Sequence, residues 1–276
     1  MRDTATAVSR GWRRTPTPRG RLGLALSEQI GDTSMPEKMR VLDRAATRAY
    51  YDRFGKKQDS QGFYEDPALD DLVAHADFQD ARRVFEFGCG TGRFAARLLE
   101  KCLPSSTSYL GCDLSPVMVG LAKDRIAAYG ARAQVVLSDG AVRFSLPDHS
   151  VDRVVCNYVL DLLSEADIER FFSEAHRVTM PGGKVCIASL TTGVSVPSHI
   201  VSSLWMSIFR LSPAIVGGCR PIQVDACIDP QEWQVVHRRV VTPYGVPSEV
   251  LILETIHAAN NESEPTALRS GAYAER

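Results

Sequence analysis

The stretch Val84-Phe85-Glu86-Phe87-Gly88-Cys89-Gly90-Thr91-Gly92-Arg93-Phe94 runs an apolar strand straight into a glycine loop and then into an amphipathic helix. A strand, a glycine turn and a helix N-terminus in that order form a nucleotide cradle. The glycines let backbone approach a ligand without Cβ interference, and the helix start offers unpaired N–H donors.

Outward from this stretch, short apolar runs alternate with longer amphipathic ones from Arg83 to Leu190, the pattern of a parallel sheet wrapped by helices. Strands are predicted at 83–87, 108–112, 133–138, 152–157 and 184–190, and helices at 92–101, 116–129 and 164–178. Ser115-Pro116 and Ser164 open the last two helices. The link 140–150 is too short and turn-rich for a helix. Upstream, Met39, Val41, Leu42, Ala45, Ala46 and Tyr50 recur at helical spacing up to Gly55, and a second helix is expected after Asp66-Pro67, with Asp66 as N-cap and Pro67 at its first position. Downstream, 198–211 reads as a strongly apolar helix. Runs 233–242 and 248–256, joined around Pro243-Tyr244-Gly245, read as a hairpin closing the sheet edge.

The fold expected is therefore α/β: a Rossmann-like, seven-stranded, mostly parallel sheet with helices on both faces and an antiparallel C-terminal hairpin. Residues 35–258 form one domain. Residues 1–34, rich in Arg and poor in acid, read as a disordered extension, a targeting segment or an upstream extension, and 259–276 as a flexible tail.

With 44% apolar and 24% charged residues and a net charge of -1, the chain has an ordinary globular composition, and no bulk basicity points to nucleic acid. Seven cysteines, without a CxxC pair or a Cys/His cluster at zinc-ligand spacing, argue against a disulfide framework or a metal site and for a reducing cytoplasm. The sequence carries no apolar run long enough to span a bilayer, so membrane contact is at most peripheral.

Three details bear on which nucleotide the cradle takes. The third glycine of a dinucleotide fingerprint would fall at position 93, which is Arg. Glu86, two residues before the first glycine, would repel a pyrophosphate and attract an ammonium group. Asp113 ends the second strand, where a carboxylate can accept from both hydroxyls of a ribose, a feature either ligand would use.

On these residues the chain resembles the class I S-adenosylmethionine (SAM) dependent methyltransferases, particularly the branch acting on small molecules, quinones and lipids, over about residues 45–190. Glu86 and the loop Gly88, Cys89, Gly90 and Gly92 match the first motif of that family, and Asp113 in Gly-Cys-Asp-Leu-Ser-Pro-Val-Met its ribose-binding acid. The resemblance implies SAM as cofactor, Leu114 and Met118 on the adenine side, and Asp139-Gly140 as the adenine-recognition element. Asn157-Tyr158 would point toward the methyl donor. It further implies a catalytic neighbourhood that includes Tyr51, matching an amino-terminal Tyr-Asp element, and Asp161, at a place where relatives often carry His. Residues 193–230 would cover a small, lipophilic acceptor such as a quinone, a phenol or a lipid head group. An NAD(P)-dependent oxidoreductase and a non-catalytic SAM-binding protein stand as the alternatives.

Overall fold

A computed structural model describes residues 41–256; the expected extension 1–34, the start of the first helix and the tail 259–276 lie outside the described residues. Within them the chain forms helices α1 (Arg44–Phe54) and α2 (Gly62–His75), strand β1 (Arg83–Phe87), α3 (Arg93–Lys101), β2 (Ser108–Asp113), α4 (Pro116–Ile126), β3 (Ala133–Leu137), β4 (Val151–Asn157), α5 (Glu165–Val178), β5 (Thr179–Leu190), α6 (Val196–Leu211), β6 (Trp233–Val241) and β7 (Ser248–Thr255). The seven strands make one sheet in the order β3-β2-β1-β4-β5-β7-β6. β1 to β5 are parallel, and the hairpin β6–β7 adds to β5 antiparallel, with Lys184 opposite Glu254 and Leu190 opposite Ser248. The expected fold class is the observed one.

The sheet separates two apolar layers. Val84, Phe94, Ala95, Leu98, Tyr109, Val119 and Ala122 pack on one face; Phe85, Phe87, Phe144, Phe171, Phe172 and Ile187 pack on the other. Helix α3 buries Phe94, Ala95, Leu98 and Leu99, the i, i+1, i+4, i+5 stripe of an amphipathic helix. Each such aromatic or leucine is worth roughly 1.5–3 kcal/mol relative to full exposure. Start signals act as read for two helices: the Ser115 side chain accepts from the Met118 N–H, and that of Ser164 from the Asp167 N–H.

Two local expectations differ from the structure. Pro67 lies inside α2 rather than at its first position, because a 3₁₀ segment over Gly55–Gln61 runs directly into the helix and starts it five residues earlier. Asp66 therefore does not cap; with Glu65 it grips the Arg93 guanidinium, which sits at the first position of α3. β5 also begins earlier than its apolar core suggests. Thr179 pairs with Val151 before the register shifts ahead of Arg153 and Lys184, so the Pro-Gly-Gly turn is absorbed into the strand's start.

Gly92 shows why the loop needs glycine. Its φ is +74°, and a Cβ there would stand 2.8 Å from the Ala122 Cα, so α3 and α4 approach each other through this position. Gly92→Ala is expected to destabilise the protein by about 2–4 kcal/mol, the sum of left-handed strain and overpacking. Urea denaturation checks this; an unchanged midpoint would remove Gly92 from the packing.

Candidate active site

The carboxyl ends of β1, β2 and β4 open onto a cleft whose empty space, open solvent at its mouth included, is about 940 Å³. Its floor is the β1–α3 turn. The Gly88 and Cys89 N–H groups both donate to the Cys112 carbonyl at 2.9 Å, fastening the turn to β2. Gly88 has φ +77°, and a Cβ would meet Val159 Cγ2 at 2.3 Å. Asp113, at the end of β2, accepts from the Gly90 N–H and the Ser115 N–H, each at 2.9 Å. Burial pushes its carboxyl upward while these backbone donors pull it back. Ser115 in turn donates to Asp52 at 2.5 Å, tying α1 to the N-terminus of α4.

Of the residues read from sequence, Gly88, Gly90, Asp113, Leu114, Met118, Gly140, Asn157, Tyr158 and Tyr51 line this cleft. Asn157 is distinctive: both its amide nitrogen and its amide oxygen are buried without a hydrogen-bond partner. Orphaned polar atoms of this kind carry a desolvation penalty of about 1–3 kcal/mol that a bound ligand can relieve. Tyr158 sits at φ +55°, a left-handed strain unusual for an aromatic residue, and donates to Ser248 at 3.0 Å.

Five of the expected residues fall elsewhere. Glu86 does not reach the cleft: the strand's alternation turns its carboxylate under the opposite layer, where it accepts from the Tyr109 hydroxyl at 2.6 Å. Enclosure lifts its carboxyl to about 7, with Tyr109 opposing that rise and the nearby Asp113 charge adding to it. Cys89 is buried against Gly111 beneath the turn, and Gly92 serves the α3–α4 contact. Asp139 is exposed and caps the Ala141 N–H at 2.8 Å, an ordinary Asx turn. Asp161 is fully buried behind the cleft wall. Its two carboxyl oxygens meet no side-chain donor, and burial lifts it to about 7 against the pull of nearby backbone groups and of Arg220.

The cover also differs from the sequence reading. No residue of α6 lines the cleft. That helix turns Val196, Ile200, Leu204 and Leu211 to solvent and buries Ser198, Ser202 and Phe209. The loop after it closes over α1 instead. Gly217 abuts Tyr50, Gly218 abuts Leu42 and Leu162, and the Tyr51 hydroxyl lies 3.7 Å from Cys219 Sγ. Sequence reasoning missed Arg44, Thr47, Arg48 and Gln58, which line the cleft from α1 and the 3₁₀ segment. Their helical spacing was legible, but not the face α1 would present.

Residues 84–183 match the family model described as a methyltransferase domain. The chain is 30% identical over 159 residues, 57% of its own length and 55% of the relative's, to a malonyl-[acyl-carrier protein] O-methyltransferase of Marinomonas sp.. It is 29% identical over 119 residues, 43% of itself and 50% of the relative, to a demethylmenaquinone methyltransferase of Geobacillus kaustophilus. The chain thus spans about half the length of these curated relatives. An N-methyltransferase from Bradyrhizobium japonicum, solved with S-adenosyl-L-homocysteine, superposes with a TM-score of 0.58 at 15% identity over 77% of this chain and 100% of that one. A cyclopropane synthase from Mycobacterium tuberculosis gives 0.58 at 14% identity, over 78% and 99%; at these identities the likeness is one of fold. Residues 84–183 thus carry the match to a methyltransferase domain, and the fold is like that of SAM-dependent methyltransferases. SAM is the cofactor of that class, and the glycine turn, Asp113 and the orphaned Asn157 amide suit a ligand with a ribose and polar ends.

The buried position of Glu86 has a pH consequence. Its folded value near 7 lies above the ordinary 4.5, so the stability associated with its protonated form is fully present below about pH 4.5 and lost as pH rises through about 7. Glu86→Gln, which keeps an acceptor for Tyr109, should therefore gain stability relative to the parent between pH 5 and 8, by up to about 3 kcal/mol. Parallel stability-versus-pH curves for the two proteins in chemical denaturation would contradict this.

Proposed function

We propose that the protein transfers the methyl group of SAM to a small, lipophilic acceptor of the quinone, phenol or lipid-head-group kind. The observation that carries this reading is a cleft at the carboxyl ends of the parallel strands where a fastened glycine turn, a ribose-competent carboxylate and an unpartnered amide converge. Relatives named for demethylmenaquinone and for a malonyl group on an acyl-carrier protein support a small or carrier-borne acceptor group.

When bound, SAM supplies an electrophilic methyl on a sulfonium, and the protein's task is to orient and to exclude water. Asp113, already fixed by two backbone donors, has lone pairs left to accept from the ribose hydroxyls. Leu114 and Met118 offer an apolar wall for the base, and Asn157 offers a donor and an acceptor near the donor end. The Asx turn at Asp139 positions Gly140 against Leu114, so the backbone there, rather than the Asp139 carboxylate, faces the base. Apolar walls from Val41, Leu42, Leu162 and Leu163 favour an acceptor with little charge. Tyr51 is held as a neutral phenol, because burial and the neighbouring Cys219 push its ionisation upward. It therefore acts as a wall and a hydrogen-bonding group, not a base. Asp161 is set behind Tyr51 and Cys219, so proton removal from the acceptor does not fall to it directly.

Residues 35–258 would then form the single catalytic domain, with the 213–220 part of the 193–230 segment as its cover. Among the described residues no helix is long and apolar enough to cross a membrane.

Calorimetric titration with SAM, S-adenosylhomocysteine and NADH tests the reading. Micromolar binding of the first two and none of the third is expected; NADH binding alone would move the protein to the oxidoreductases. SAM binding without turnover across quinones, phenols and phospholipids would leave a non-catalytic binder. In the same assay Asp113→Ala should weaken SAM at least roughly tenfold, through loss of charge-assisted hydrogen bonds worth about 1.5–3 kcal/mol each. Unchanged affinity in a folded variant would remove Asp113 from the ribose site.

A further inference from the structure

Away from the cleft, α2 and the edge strand β6 bring together three groups that sequence spacing does not associate. Asp71 and His75 stand one helical turn apart on α2, and His237 faces them from β6. The two imidazoles stack at 3.8 Å between centroids and 8° between planes. His237 Nε2 lies 2.6 Å from an Asp71 carboxylate oxygen, and His75 Nδ1 lies 2.8 Å from the Asp71 backbone carbonyl. One carboxylate oxygen and one ring nitrogen from each histidine fall within 4.8 Å of one another.

We propose that Asp71, His75 and His237 form a binding site for a divalent transition cation of the zinc class, clipping α2 to β6. Two imidazoles and a carboxylate are a ligand set that zinc favours, and three protein ligands leave a fourth position for water. Ligand atoms around tetrahedral zinc stand roughly 3.3 Å apart, as Zn–N bonds of about 2.0–2.1 Å require. The His75 side chain, 44% exposed, has the freedom to close the remaining gap, whereas Asp71 is buried and provides a fixed anchor. His75 Nδ1 also stands 3.9 Å from an Asp71 carboxylate oxygen, so the ring already faces the carboxylate.

A competing cation is present at the site. Arg239 reaches the other Asp71 oxygen at 3.0 Å, but its side chain is 62% exposed and can withdraw. Zinc would take over the interactions that Arg239 and His237 now make with the Asp71 carboxylate. The clip would tighten α2, whose N-terminal half carries Tyr64 against Tyr158 at the cleft.

Titration of the purified chain with zinc chloride, read by calorimetry and by thermal denaturation, is the test. One-site binding with a rise in the melting midpoint is expected, since a ligand bound to the folded state alone stabilises it. His75→Ala, a partly exposed substitution compatible with folding, should weaken binding at least roughly tenfold, in keeping with loss of a ligand rather than of an outer contact. Arg239→Gln should strengthen it. Cobalt in place of zinc should give visible bands without thiolate charge transfer, which separates this site from the free cysteines. Absence of saturable binding, binding unaltered by His75→Ala, or a thiolate signature would each overturn the site. None of these results depends on SAM binding or turnover.

Discussion

The Asp113 carboxylate accepts the Gly90 N–H on one oxygen and the Ser115 N–H on the other, and this pair of bonds joins three elements at one point. It fixes the β1–α3 turn against the end of β2 and aligns the start of α4. Through Ser115 and Asp52 it reaches α1 as well. Gly88 and Gly90 both take positive φ in this turn, and at Gly88 the Val159 side chain also leaves no room for a Cβ. A ligand cradle made of backbone rather than long side chains needs no reorganisation when filled. That rigidity suits a reaction driven by alignment.

Around this point the protein places ionisable groups where water does not reach. Glu86 and Asp161 are both enclosed and both lifted to about 7, and Arg220 is pulled below its ordinary value by the same enclosure. Glu86 is stabilised by a phenol donor, whereas Asp161 has no hydrogen-bonding side chain and is opposed in its rise by nearby backbone groups and the field of Arg220.

The α1 wall of the cleft is backed by a segment far away in sequence. α1 supplies one wall, and the loop after α6 rests its glycines on Tyr50, Leu42 and Leu162. The exposed apolar stripe of α6 is separate from that contact.

Sequence by itself determined the sheet, its helices and the C-terminal hairpin, because period-2 and period-3.6 patterns follow from which face each element buries. It also determined the glycine turn, Asp113 and Asn157, whose positions at strand ends fix where they point. Tertiary structure alone decided the fate of the others. Glu86 differs from its motif reading because strand alternation and the reach of Tyr109 turn it inward. Asp139 satisfies its own turn, Asp161 is walled off, and Gly92 answers to a helix contact 30 residues away at Ala122. Pro67 shows the same limit at the level of an element, since the segment before it was already helical. A motif specifies residue types at spacings along the chain; which atom a side chain finally meets depends on partners that only long-range packing brings near.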